Sequence, residues 1–141
     1  MSMTAHDETP EQRVAFLEEW SRETAEMFRD VASDFGVNLD YSAESLREVE
    51  RLITDNFTDR RGRVKRKYRD LSGATGAYVT EVILRNLGGH WDWEPEFEIA
   101  GVRFPSGGFT APLAKSRKRF EDGAGDEFVS YYQMLTETAS S

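Results

Sequence analysis

The chain has 141 residues, a length that suits a single domain with a hydrophobic core of its own. It has no cysteine, which excludes disulfide bonds, thiolate metal sites and cysteine nucleophiles. The formal net charge is −8, with 18 basic and 26 acidic residues, and this excess of acid argues against general affinity for nucleic acid. The sequence starts with neither a basic region nor an apolar run, and no later run approaches the ~20 apolar residues that a membrane span needs. These features predict a cytoplasmic protein that makes no membrane contact.

The first predicted element is a long helix. Residues 1–9 are polar and lack periodicity, which predicts a disordered tail. From Pro10 to a stop at Gly36, apolar residues recur at mostly helical spacing, which predicts an amphipathic helix of about seven turns. The opposite face of this helix is expected to be solvated and acidic, because it carries Glu18, Glu19, Glu23 and Glu26.

A second helix and a basic segment follow. Residues 37–41 alternate between apolar and polar, as in a short strand or an extended link, and Ser42 and Ser45 offer caps for a helix that ends near Asn56. Residues 60–69 hold seven of the 18 basic residues and no acid, so the rest of the chain carries 11 basic against 26 acidic residues, or −15. This basic segment is predicted to be a loop or mobile link.

The central element is predicted to be a helix over residues 71–87, because its apolar face is broad. Gly73 and Gly76 each cost ~1 kcal/mol relative to alanine inside a helix, and the usual compensation is a close approach of another backbone. A second element is therefore expected to cross near Gly76. Gly88-Gly89 ends the helix, and the strand His90–Glu94 follows with both tryptophans on one face.

The remaining chain reads as short strands followed by two helices. The apolar positions change parity near Gly101, which predicts a hairpin or bulge there. Residues 113–120 are predicted to form a short basic helix, residues 123–125 a turn, and Asp126 the cap of a last helix. Residues 138–141 are predicted to be a polar tail.

The order of these elements predicts an α+β fold. Three N-terminal and central helices precede a small antiparallel sheet of two or three strands, and two C-terminal helices complete a single domain over residues 10–137.

Two stretches carry a resemblance to a known family. GAYVTEVILRNLGGHW (76–91) holds a G-x-Y-V-x-E-V core that ends in Gly-Gly-x-Trp, and PLAKSRKRFEDGAGDEFVSYY (112–132) holds a K-R-x-x-x-G motif before an acidic helix start. Together they resemble a bacterial domain family of unknown function. The resemblance covers roughly the second half of the chain and departs from the expected pattern at Thr80 and Glu127. It implies a bacterial source and a shape, but no activity.

A candidate binding surface lies around the central helix and the tryptophan strand. Glu81 stands four residues before Arg85, and it is either half of an exposed pair worth ~0.3 to 0.5 kcal/mol or a partly buried carboxylate that organises a cleft. The two tryptophans are either core residues or an anchor for a partner. The candidate binding surface comprises Glu81, Arg85, His90, Trp91, Trp93 and Lys118.

His90, Asp92 and Glu94 share a strand face, but three side chains along one strand point in parallel and do not converge on one ion. We therefore predict no metal site and no cofactor. Nucleophilic catalysis lacks support as well, because there is no G-x-S-x-G motif and only His6 and His90 could serve as a base.

The basic patch is the second candidate surface. Only Tyr68 interleaves with the basic residues, which gives little support for base stacking and favours an acidic protein surface over nucleic acid. A second copy of this chain, with its glutamate-rich first helix, is one such surface. The patch comprises Arg60, Arg61, Arg63, Lys65, Arg66 and Lys67, and a second basic cluster lies at Lys115, Arg117, Lys118 and Arg119.

The sequence thus favours a non-enzymatic protein-binding or regulatory module with a protein partner or self-association. The alternative is a small-molecule or weak hydrolytic site near Glu81, Arg85 and His90.

Overall fold

The computed structural model describes residues 8–123 and 127–140. Within these residues the fold is α+β, with a three-stranded antiparallel sheet and two C-terminal helices, as predicted. A π-helical turn (Ile53–Phe57) and a 3₁₀ helix (Arg66–Leu71) lie between the second and third helices. In chain order the main elements are α1 (Pro10–Asp34), α2 (Ser45–Leu52), α3 (Ser72–Leu87), β1 (His90–Glu94), β2 (Ile99–Arg103), β3 (Phe109–Thr110), α4 (Pro112–Asp122) and α5 (Phe128–Ser140).

Helix α1 begins with a capping box. The Thr9 hydroxyl accepts a hydrogen bond from the Gln12 backbone N–H at 3.1 Å, and the Gln12 side chain accepts one from the Thr9 N–H at 2.9 Å. Pro10 takes the first helical position, where a missing N–H costs nothing. The chain leaves the helix at Gly36 with a φ of +78°. Both predicted limits of this helix are confirmed, and its buried face consists of Ser21, Ala25, Phe28 and Ala32.

Residues 37–41 form an extended link rather than a strand. Tyr41 closes the link with a φ of +64°, a conformation that non-glycine residues seldom adopt. Its backbone N–H donates to the Tyr78 hydroxyl at 2.9 Å, and its own hydroxyl donates to Glu26 at 3.0 Å. These bonds, with the stacked Tyr41 and Tyr78 rings at 5.0 Å, fix the unusual turn against the core.

The predicted caps of α2 are not at the N-cap position, which Glu44 occupies without a capping side-chain hydrogen bond, but the Ser42 hydroxyl accepts the Ser45 backbone N–H at 3.1 Å in the turn before the helix. The π-helical turn carries the helical backbone on to Phe57, one residue past the predicted end. The apolar stripe is fully buried: Leu46, Val49, Leu52, Ile53 and Phe57.

Helix α3 is enclosed by the rest of the fold, and residues 74–83 are all buried. It lies between α1 and α4. The predicted crossing at Gly76 is confirmed, since a Cβ there would lie 2.9 Å from the Leu113 side chain and 3.1 Å from Ser116 Cβ. The corresponding expectation for Gly73 is wrong, because a Cβ there would meet nothing within 4 Å.

The strands β1 and β2 form a hairpin whose turn spans residues 95–98. The predicted hairpin or bulge at Gly101 is wrong, because Gly101 pairs with Asp92 in an unbroken register. A side chain at Gly101 would collide with the Thr110 carbonyl and lie within 2.7 Å of the Phe109 ring. Glycine is therefore needed there to admit β3 beside the strand.

A buried ion pair joins α2 to the two C-terminal helices. The Arg119 guanidinium donates to Glu50 at 3.0 Å through Nε and again lies 3.0 Å from it through Nη2. The other Glu50 oxygen accepts the Phe128 backbone N–H at 2.8 Å, at the start of α5. The Arg119 side chain is only 2% exposed, so its predicted place in a solvated basic cluster is wrong.

Helix α5 continues to Ser140, so the predicted tail at 138–141 is helical over its first three residues. Tyr131 on this helix is buried beside Thr110, and burial raises the pKa of its phenol. The expected cap at Asp126, the second glycine of the 123–125 turn and most of the expected N-terminal tail lie outside the described residues.

Candidate functional site

Three of the six residues of the predicted binding surface line one small cleft between α1, α3 and β1. Helix α3 contributes Glu81, and β1 with the glycine turn before it contributes His90 and Trp91. The cleft has a volume of about 220 Å³, and its full lining is Glu18, Arg22, Glu81, Leu84, Gly89, His90 and Trp91. The sequence missed the contribution of α1, which comes from an acidic face expected to be solvated.

Glu81 is a buried carboxylate, 5% exposed, which favours the second of the two sequence interpretations. Ser21 on α1 donates a hydrogen bond to its Oε2 at 3.0 Å, and Arg85 Nη2 lies 4.0 Å from its Oε1. The Arg85 guanidinium also stacks on the Tyr41 ring, with its Cζ 3.5 Å from the ring centroid. The carboxylate therefore joins α1 to α3, and its partners are already provided by the fold.

The two tryptophans differ in their surroundings. Trp91 is 3% exposed, and its indole N–H has no hydrogen-bond partner among the described residues. Trp93 is half-buried, with the Arg13 guanidinium 4.9 Å from its ring centroid. Lys118 is exposed on α4 and does not line the cleft. Trp91 therefore lies in the core, Trp93 is partly exposed and Lys118 lies outside the cleft, so these three residues of the predicted surface do not form one site.

The polar face of β1 is occupied by Arg103 from β2. Its guanidinium donates to Asp92 at 3.1 Å and to Glu94 at 2.6 Å. Burial acts to raise the pKa of Asp92, but the hydrogen bonds from Arg103 and the Trp93 N–H outweigh it and leave the pKa below its usual value. Within residues 8–123 and 127–140, no cluster of three or more histidines and carboxylates could hold a metal ion.

A larger cleft brings the two basic stretches of the sequence together, and we call it the arginine cleft. Its volume is about 610 Å³. It lies between the loop after the π-helical turn, the 3₁₀ helix before α3 and the C-terminal half of α4. Its basic side chains are Arg61, Arg63, Arg69 and Arg117, and the rest of its lining is Gly62, Val64, Ser72, Phe120, Glu121, Asp122 and Gly123.

The loop that carries two of these arginines has backbone hydrogen bonds of its own, and of the two predicted alternatives, a loop or a mobile link, the structure has a loop. The Asp59 carboxylate accepts the backbone N–H groups of Arg61 at 2.8 Å and Arg63 at 3.1 Å. These two bonds lower the pKa of Asp59. Thr58 and Val64 pair as an antiparallel bridge, and Gly62 turns the chain with a φ of +81°. These bonds hold the backbone from which the exposed side chains of Arg61 and Arg63 extend.

The arginine cleft includes only part of the predicted basic patch. Arg61 and Arg63 line it, whereas Arg60, Lys65, Arg66 and Lys67 are exposed elsewhere on the same segment. Arg69 and Arg117 complete it from two other elements. Their convergence depends on tertiary contacts, and the two separate basic runs were the only sequence signal for it.

Acids lie near the arginines of the cleft without pairing with them at contact distance: Asp59 interacts electrostatically with Arg61 and Arg63, and Glu121 and Asp122 line the same cleft. None of the four arginines forms an ion pair within 4.0 Å among the described residues. Elsewhere five arginines have carboxylate partners at or within that distance: Arg29, Arg51, Arg85, Arg103 and Arg119. In a chain with 26 acidic residues, an unpaired group of arginines is available to an external anion.

Comparison with protein-family models, curated proteins and solved structures found no match to this chain. The resemblance of residues 76–91 and 112–132 to a bacterial domain family stays a prediction. Within the part of the chain that the structure describes, no helix is both long enough and apolar enough to cross a membrane.

Proposed function

We propose that the protein is a non-enzymatic protein-binding module whose arginine cleft binds an acidic segment of a partner protein. The observation that carries this proposal is the convergence of four arginines without carboxylate partners in one cleft of about 610 Å³. Guanidinium groups form planar, often bidentate hydrogen bonds with carboxylates, so aspartate and glutamate side chains suit such a surface.

The composition of the lining favours a protein segment over nucleic acid. Glu121 and Asp122 stand in the same cleft as the arginines, and they would repel a continuous phosphate backbone. Phe120 is the sole aromatic residue in the lining and is only 6% exposed, which leaves little ring surface on which a base could stack. A peptide can place a carboxylate against the arginines and a basic or polar residue against the two acids.

The geometry favours the arginine cleft over the Glu81 cleft as the binding site. At about 220 Å³ the Glu81 cleft is smaller than the ~300 to 1,000 Å³ of typical small-molecule sites. Its carboxylate already accepts a hydrogen bond from Ser21, and that hydroxyl is fully buried and does not line the cleft, so it is not placed to attack a bound molecule.

The proposal can be tested with a fluorescein-labelled acidic peptide of eight residues that alternates glutamate with serine, titrated with the protein and followed by fluorescence anisotropy. The test variant is Arg63→Gln/Arg117→Gln, which removes two cleft arginines from different elements. The matched control is Arg60→Gln/Arg66→Gln, which removes the same charge from exposed positions outside the cleft. Two exposed ion pairs at ~0.5 kcal/mol each correspond to about a fivefold rise in Kd for the test variant.

We expect the control variant to retain the Kd of the wild type to within about twofold, since weak long-range attraction is its only loss. Equal weakening in both variants would mean that the peptide senses overall charge, and no binding by the wild-type protein would remove the proposal. A single-stranded oligonucleotide of equal charge should bind more weakly than the peptide. Tighter binding of the oligonucleotide would assign the cleft to phosphate instead.

A further inference from the structure

The outer face of α1 carries exposed hydrophobic side chains among acids. Phe16 is 65% exposed and Met27 is 51% exposed, and they stand eleven residues apart, about three helical turns, on the same face. Glu19, Glu23 and Asp30 lie on that face, are exposed, and form no ion pair with another described residue. We call these five residues the α1 stripe.

The α1 stripe is complementary to the arginine cleft in charge. The cleft has an arginine rim, and Val64 and Phe120 beneath it, at 3% and 6% exposure, offer little apolar surface. The stripe has acids interleaved with Phe16 and Met27, and from Phe16 to Asp30 it is about 21 Å long at ~1.5 Å per residue. Large exposed apolar side chains bordered by charge are characteristic of protein-binding surfaces.

The two surfaces face away from each other in one molecule. Helix α3 contacts α1 through the Ser21–Glu81 hydrogen bond, and it contacts α4 through Gly76. Positions 76 and 81 are about 140° apart around the α3 axis, because each residue turns the helix by ~100°. The stripe lies on the side of α1 that faces away from its buried residues. A chain therefore cannot place its own stripe in its own cleft.

We infer that a second copy of this chain occupies the arginine cleft, with the acidic residues of its α1 stripe against the arginine rim. This inference rests on the proposed function, because it names the acidic protein segment that the cleft binds. The two surfaces differ, so the contact is head-to-tail: it closes into a ring where the rotation allows, and otherwise it leaves one free stripe and one free cleft at the ends of an open assembly.

Sedimentation velocity over a range of protein concentrations tests the inference. The salt concentration should be about 0.1 M, because the Debye length of ~10 Å then limits the general repulsion between chains of net charge −8. We expect the weight-average mass to rise with concentration. The rise should be abolished in about 1 M salt, where the Debye length is ~3 Å.

Two variants separate the specific contact from the effect of net charge. Arg63→Gln/Arg117→Gln takes the net charge from −8 to −10, and Glu19→Gln/Glu23→Gln takes it from −8 to −6. General repulsion would move the two variants in opposite directions, whereas the specific contact predicts at least a fivefold weaker association for both. The control Arg60→Gln/Arg66→Gln also has a charge of −10 and should associate like the wild type.

Mixing the two defective variants provides the decisive measurement. Alone, each should associate at least fivefold more weakly than the wild type, but together they retain one intact cleft and one intact stripe, so the mixture should form a 1:1 pair and nothing larger. A mixture that associates no more strongly than the separate variants, or association as strong as that of the wild type in either variant alone, would overturn the inference. If the wild-type chain is monomeric yet binds the acidic peptide through the cleft, the second copy is wrong and the proposed function stands. If neither occurs, both are wrong.

Discussion

The buried ion pair between Glu50 and Arg119 should make a larger contribution to stability than any exposed pair in the protein. We predict that Glu50→Gln, which conserves volume and removes the charge, lowers the free energy of unfolding by about 3 kcal/mol. Breaking a buried pair usually costs ~3 to 5 kcal/mol, because a charge is left in a poor solvent for it. The low end applies because the amide oxygen can still accept one of the two hydrogen bonds that Glu50 now accepts, from Arg119 Nε and from the Phe128 N–H.

Urea unfolding followed by circular dichroism measures this loss directly. With an m value of ~2 kcal/mol/M, the expected 3 kcal/mol shifts the midpoint by about 1.5 M at unchanged slope. The matched control is Glu48→Gln, two residues away, whose exposed pair with Arg51 at 3.3 Å should contribute ~0 to 1 kcal/mol. Replacing the buried pair with apolar residues, as in Glu50→Leu/Arg119→Met, should recover most of the loss. Equal losses for Glu48→Gln and Glu50→Gln would refute the reasoning.

Two further predictions concern α3 and the link before α2. Gly76→Ala should destabilise the protein by ~1 to 3 kcal/mol, because the new Cβ meets Leu113. Gly73→Ala should stabilise it by ~0.4 to 1 kcal/mol, because the new Cβ has open space around it. Thermal unfolding of the two variants measures both changes. Burial and the hydrogen bond to Glu26 raise the pKa of Tyr41 to about 12, so its stabilising effect is complete below the unfolded pKa of ~10 and is lost as pH rises through about 12. Between pH 8 and pH 11, the free energy of unfolding should therefore decrease less for Tyr41→Phe than for the wild type. An equal decrease in both proteins would contradict the raised pKa of Tyr41.

Local patterns were sufficient to predict most of the helices. The limits of α1 follow from Pro10 and Gly36, whose backbone preferences act within a single turn. The prediction of a bulge at Gly101 is wrong because the change in the alternation of apolar residues does not come from an irregularity within the strand. The glycine is instead required by Thr110, nine residues later, whose carbonyl passes where a side chain would stand.

The candidate site was less accessible to prediction than the fold. Arg117 and Arg119 belong to one basic run, yet the first lines the arginine cleft and the second is buried against Glu50. Helical geometry separates them by about 200°, but which of them faces inward depends on a carboxylate 69 residues earlier in the chain. Likewise, Arg61 and Arg117 line one cleft only because the fold brings their two elements together. A sequence pattern can show the two basic runs but not that they converge.

The enclosure of α3 has a consequence for how the sequence can vary. Along α1, exposed positions return every three or four residues, and substitutions at such positions usually change stability by less than ~0.5 kcal/mol. Between residues 74 and 83 no residue is exposed, and even the polar side chains of Thr75, Thr80 and Glu81 are buried. A saturation mutagenesis library selected for folded protein should therefore show a helical rhythm of tolerated substitutions over α1, and an unbroken block of intolerance ten residues long over α3.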